Sequence, residues 1–202
     1  IVASDWSSDV CSSDLAEKLG KRLGLEVYDE DIADLAARRS GIRKDYFEKV
    51  DEKPTDSFLY MLAMNTFTMN TSMNPFENTL SSDKLFNKQA EVIQEIADKD
   101  DCIIVGRCAG YILRDEPKCV RIYISADKDF RTKRIMASDH LDEKEAQKKI
   151  HSMDKKRDSY FGYYAGQDWK ACHTYDLSIS TSSLGIDKAV DLICQYIDIK
   201  FK

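Results

Sequence analysis

No glycine precedes Gly20, only eight occur in the 202 residues, and there are only three prolines. The opening of the chain therefore lacks the residue that lets a backbone turn tightly against a ligand. Six cysteines stand at 11, 102, 108, 119, 172 and 194 with no C-x-x-C spacing. That pattern argues against a zinc site or a disulfide framework. The three histidines, His140, His151 and His173, are scattered, so no metal cluster is expected. No apolar run approaches the roughly 18 to 20 residues of a membrane span, and the start carries neither a basic nor a long apolar segment. A cytoplasmic protein with no membrane partner is expected. Positive charge is not in excess either, since 30 Lys and Arg against 36 Asp and Glu leave a net charge of -6. That balance disfavours a general grip on nucleic acid, while local basic clusters remain able to hold a small anion.

What is present is an alternation of short apolar runs with amphipathic stretches. Ile1 to Ala3 reads as the stub of a first strand. Leu15, Leu19 and Leu23 mark a helix from Ala16 that Gly24 stops, Leu25 to Tyr28 a strand, and Ile32, Leu35 and Ala36 the inward face of a helix ending at Ser40-Gly41. Residues 44–79 differ in character. A short helix is expected at Asp45 to Val50, then a helix start at Pro54 with Phe58, Leu59, Leu62 and Ala63 as its apolar face. A mobile loop is expected from Met64 to Thr79. Ser82 reads as the cap of a long helix carrying Leu85, Phe86, Gln89, Val92, Ile93 and Ile96. Strands are predicted at Cys102 to Val105, Val120 to Ile124 and Leu177 to Ile179. Helices are predicted at Ala109 to Leu113, from Asp127, from Asp142 to about Tyr160, and from Ile186 to Ile197. Strands alternating with helices mean one α/β domain with a parallel sheet and helices on both faces.

The chain is organised around Cys102 to Leu113. A buried strand ends at Gly106, which places Arg107 at a strand's carboxyl end, where open α/β sheets bind ligands. Two readings of Arg107 stand: a guanidinium fork on a phosphate, or a surface ion pair. Downstream lie Arg131 and Arg134 on one helix and Asp154, Lys155, Lys156, Arg157 and Tyr160 on the next. For Lys155 and Lys156 a solvated helix face explains the charges as well as a site does. Ser180 to Gly185 fits a strand-to-helix turn capped by a hydroxyl.

The order Val105-Gly106-Arg107, Arg121 to Ile124, Arg131-x-x-Arg134, Asp154-x-x-Arg157-x-x-Tyr160 and Tyr175-Asp176-Leu177-x-Ile179-x-Thr181 resembles the cytidylate kinase-like family of nucleoside monophosphate kinases. The resemblance runs from about Ala16 to Ile199. It implies a P-loop NTPase-like parallel sheet with a helical acceptor insertion at 44–79 and a small lid at 142–170. It also implies phosphoryl transfer from ATP, with Mg²⁺, to a nucleotide such as CMP. Small-molecule nucleotides are then the partners, and monomer and homodimer are both open. On this resemblance Arg107 would hold the acceptor phosphate or base, Arg131 and Arg134 would lie near the donor, and Thr181 and Ser182 would pass beside the donor base. Arg157 would close from the lid, oriented by Asp154.

Two departures stand out. Cys108 occupies the place where bacterial cytidylate kinases carry an aspartate, which leaves the acceptor base open. A glycine-rich phosphate loop is missing between the first strand and first helix, where Asp5, Asp9 and Asp14 would repel a polyphosphate. Asp5 to Leu15 matches, residue for residue, the translation of a common short-read sequencing adapter. Residues 1–15 are therefore expected to be non-native and the donor site impaired. The alternative is a non-catalytic nucleotide-binding or interaction module on the same fold.

Overall fold

Successive side chains of a strand face opposite ways, and all four residues of Cys102–Val105 are buried. Ile103 and Val105 enter one apolar cluster, Cys102 and Ile104 another. A strand buried on both sides must lie in a sheet covered on both faces. The computed structural model, which describes residues 1–6, 11–29, 32, 35–36 and 75–202, has that arrangement. Its strands are β1 (Val2–Trp6), β2 (Glu26–Tyr28), β3 (Cys102–Val105), β4 (Val120–Ser125) and β5 (Leu177–Ser180). They form one parallel sheet in the order β2-β3-β1-β4-β5, with Val2 opposite both Ile103 and Val120. The helices among the described residues are α1 (Cys11–Leu23), α2 (Pro75–Lys99), α3 (Ala109–Ile112), α4 (Lys128–Asp139), α5 (Glu143–Ala165), α6 (Thr181–Leu184) and α7 (Ile186–Phe201).

On one face Leu15, Ala16 and Leu19 of α1 and Ala189, Val190 and Ile193 of α7 bury against Val2, Ile103, Ile122 and Ile179. On the other, Leu85, Val92 and Ile93 of α2 join Ile32, Ala36 and Ala109 over Ala3 and Ile104. The expected inward residues Ile32, Leu35 and Ala36 are therefore placed correctly. At Gly20, α1 presses on β2: a Cβ there would stand 2.5 Å from Val27 Cγ2 and 2.9 Å from the Leu25 carbonyl oxygen. Gly20→Ala is expected to cost about 1–3 kcal/mol through overpacking. A urea titration would read this as a lower midpoint at unchanged slope.

The structure corrects several boundaries. The first strand runs to Trp6 rather than Ala3, and α1 begins at Cys11 rather than Ala16, with Asp14 in its first turn. An acidic first turn complements the helix dipole and needs no apolar period to form. The long helix starts at Pro75 rather than Ser82, so 75–79 are helical and not loop. Proline fits the first helical position because its missing N–H has no partner there in any case. The Ser180 to Gly185 turn contains the short helix α6, closed by Gly185 at φ 74°. The predicted helix at Asp45 to Val50, the Pro54 start, the apolar face from Phe58 to Ala63, residues 64–74 of the loop and the Ser40-Gly41 stop lie outside the described residues.

Cys102, Cys108 and Cys119 are buried, and burial pushes the Cys102 thiol up to about 11. Burial raises the Cys119 thiol as well, so Cys102 and Cys119 are apolar fillers rather than thiolates. At the amino end of β4, Asp176 accepts from the Arg121 backbone N–H at 2.8 Å and from its Nε at 3.2 Å, with Lys200 Nζ 3.5 Å away. Burial raises the Asp176 carboxyl, but the Arg121 hydrogen bonds and the Lys200 charge outweigh it and hold the group below the usual range.

Candidate functional site

Because the five strands are parallel, their carboxyl ends share one edge of the sheet, and the turns leaving that edge are where such sheets bind ligands. The turn after β3 is unusual. Gly106, Arg107 and Cys108 have φ of 69°, 56° and 56°, and each left-handed non-glycine residue costs roughly 1–2 kcal/mol. The strain is held in place by the packing of Cys108, which is 2% exposed. The Ala109 N–H also donates to the Gly106 carbonyl at 3.0 Å, and the Ile112 N–H to that of Cys108 at 2.9 Å. Strain of this kind gathers at functional sites.

Cys108 belongs to an apolar cluster with Tyr123, Phe161, Ala165 and Trp169, against which Phe86, Tyr160 and Tyr164 pack. The second half of α5 thus lies on the Gly-Arg turn. Its amino end is set by a capping box: the Glu145 N–H donates to Asp142 Oδ1 at 2.8 Å and the Asp142 N–H to Glu145 Oε2 at 3.2 Å. The middle of α5 is fastened to α4. Arg131, 8% exposed, donates through Nη1 and Nη2 to the two oxygens of Asp154 at 2.9 and 2.6 Å. Such a bidentate pair fixes orientation as well as supplying energy. One helical turn on stands Arg157, half-buried, with its Nη1 out of contact with solvent. On the other side of α4, Arg134 Nη2 donates to Asp14 Oδ2 at 2.5 Å, tying α4 to the first turn of α1.

The structure therefore brings α4, α5 and the turn carrying Arg107 together above the carboxyl edge. The Asp154 carboxylate grips Arg131 of the neighbouring helix, a partner that spacing along α5 does not reveal, and the fork of Arg131 faces α5. The residues beyond β5 serve the frame. Thr181 is fully buried and donates from Oγ1 to the Ser125 carbonyl at 3.1 Å, while Ser182 Oγ accepts from the Asp127 N–H at 3.2 Å. Their hydroxyls stitch the turn after β5 to the start of α4. Lys155 is exposed, as a solvated face requires, and so are His140, His151 and His173.

One polar contact was not foreseen from sequence. Tyr160 donates its hydroxyl at 3.0 Å to Oε1 of Gln89, which is 1% exposed on α2. The signal was a glutamine in the apolar stripe Leu85, Phe86, Gln89, Val92, where a buried amide needs a partner. Above it Phe86 stacks on Tyr164 with centroids 3.9 Å apart. Burial, then the nearby Asp83 carboxylate, push the Tyr164 hydroxyl up, so it stays protonated.

The sequence profile of the cytidylate kinase-like family matches residues 10–183. A cytidylate kinase of Sulfolobus acidocaldarius is 31% identical over 110 residues, which are 54% of this chain and 60% of that protein. The chain thus spans less than two thirds of the length of that relative. Among solved structures, an uncharacterized protein from Eubacterium ventriosum aligns over 98% of this chain and 97% of its own, with TM-score 0.70 and 27% identity. A shikimate kinase from Bacteroides thetaiotaomicron aligns over 98% and 97% with TM-score 0.55 at 10% identity, which is a likeness of fold.

Proposed function

Because the chain belongs to the cytidylate kinase-like family, we propose that it transfers a phosphoryl group from ATP to a nucleoside monophosphate, with CMP as the acceptor by similarity to its relatives. In that reaction the bond from the γ-phosphorus to its bridging oxygen breaks and ADP leaves. A phosphate oxygen of the monophosphate forms the new bond, giving a nucleoside diphosphate. The protein has little covalent chemistry to perform, and positioning and charge stabilisation carry the rate.

The observation that supports this reading best is the Arg131–Asp154 pair, which holds a helix rich in cations over the strand ends. Arg157 is then the group that meets the moving charge, and Arg107, at the end of β3, holds the acceptor. Arg131 acts through α5 and not on the nucleotide itself. Residues 142–170 would serve as the lid and 44–79 as the acceptor insertion. Among the described residues no three His, Cys, Asp or Glu side chains gather into a metal site. Mg²⁺ would accordingly come with ATP, held mainly by phosphate oxygens and water, and supply neutralising charge.

A second reading has its own support. The segment between β1 and α1 carries no glycine, and Asp14 places a carboxylate beside Arg134. A nucleotide-binding module without turnover fits those facts. The test is a coupled assay with ATP and each of CMP, UMP, AMP and GMP, run beside calorimetric binding. Transfer fastest to CMP supports the kinase; binding of nucleotides with no transfer to any acceptor favours the module. Continuous genomic coding across Asp5 to Leu15 would likewise favour the module, because the segment would then be native.

A further inference from the structure

We infer that Tyr160, through its bond to Gln89, is a positioning residue that sets where Arg157 stands, so that α2 and α5 act as one unit. The inference rests on the kinase reading for its consequence but on geometry for its substance. Helix α5 is held on both sides of Arg157 at a spacing of three residues. Three residues earlier, Asp154 is clasped by Arg131 of α4. Three residues later, Tyr160 reaches Gln89 of α2. Positions three apart lie on neighbouring parts of one helix surface, so the two tethers fix the rotation of the helix about its axis at Arg157.

The two anchors belong to different parts of the molecule. α4 follows β4 and is tied to α1 by Arg134 and Asp14. α2 closes the long excursion between β2 and β3 and packs Leu85, Val92 and Ile93 on the opposite face of the sheet. A displacement of α2 when the acceptor arrives would be passed to Arg157 through a buried hydrogen bond rather than through flexible surface chain. The tether is specific because Gln89 is closed to water, so no solvent molecule stands ready to replace the tyrosine hydroxyl. The ring contacts add stiffness: Tyr160 meets Phe86 edge-on at 6.2 Å and Tyr164 at 4.9 Å.

Tyr160→Phe keeps the rings and removes the hydroxyl, and Tyr175→Phe is the matched control. Tyr175 belongs to the same aromatic cluster and loses a comparable bond, 2.8 Å to the Trp169 carbonyl. Both variants are expected to melt at a similarly lower temperature. Tyr160→Phe alone should lower kcat about 10- to 100-fold, the scale of a misplaced catalytic group, with KM for ATP and CMP within about twofold. It should also speed amide exchange across residues 154–161. Gln89→Met should reproduce it, and the double variant should be no worse than either single one. Equal kcat in Tyr160→Phe and Tyr175→Phe would overturn the inference while leaving the kinase reading intact. If the parent chain transfers nothing to any monophosphate, the kinase reading falls. Exchange across 154–161 then decides alone, and no difference between the two variants overturns the tether.

Discussion

Asp154→Ala is expected to lower the stability of this protein by about 3 kcal/mol, because it takes both oxygens of a bidentate pair away from a buried guanidinium. Arg131 is 8% exposed and directs two donors at the two Asp154 oxygens. An exposed pair would be worth far less. Replacing both partners, as in Arg131→Met with Asp154→Leu, removes the stranded charge along with the pair and should recover most of the loss. Urea unfolding of the two single variants and the double one closes the cycle. Phosphoryl transfer should behave differently. It should remain low in the double variant even where stability returns, because an apolar contact between α4 and α5 keeps their separation but not the bidentate register that orients Arg157. Full activity in a stable double variant would remove the pair from any functional account.

Restoring glycines between β1 and α1 should raise turnover with ATP and CMP at least about a hundredfold, the size of effect seen when one preorganised donor to a developing anion is gained or lost. Successive backbone N–H groups at a helix N-terminus form an anion site only where the chain bends closely around the phosphates. In this chain α1 starts at Cys11, and the Asp14 carboxylate in its first turn is already engaged by Arg134. We propose that Asp5 to Leu15 is foreign to the gene and that its charge weakens donor binding. Equal, substantial turnover by the two forms would refute that account.

Much of the fold could be read from residue pattern because burial on both sides of a strand leaves few alternatives. Cys102-Ile103-Ile104-Val105 and, apart from Arg121, Val120 to Ile124 are apolar and rich in β-branched residues, and both lie inside the sheet as expected. Helix starts were harder to place. A first turn is set by caps and by the dipole rather than by apolar period, so α1 and α2 began earlier than Ala16 and Ser82. Of the site, the types of charge were legible and their pairing was not. Sequence spacing put Asp154 beside Arg157, one turn away on the same helix. Only the fold brings Arg131, from another helix, close enough to take both carboxylate oxygens. Thr181 illustrates the same limit: a hydroxyl after a strand caps a turn, binds a ligand or braces a neighbour with one and the same sequence, and here it braces β4.

The placement of β1 has a consequence for synthesis. Val2 pairs with Ile103 and with Val120, so roughly one hundred residues separate the central strand from either neighbour. At about 5–20 residues per second, the ribosome takes on the order of several seconds to deliver β3 and β4 after β1 has emerged. Throughout that interval β1 has two open edges and nothing to zip to, and closing so long a chain segment comes late in folding. The central strand thus waits unpaired until about half of the chain has been made, and a nascent chain stalled before Cys102 offers chaperones a strand with no native place to go.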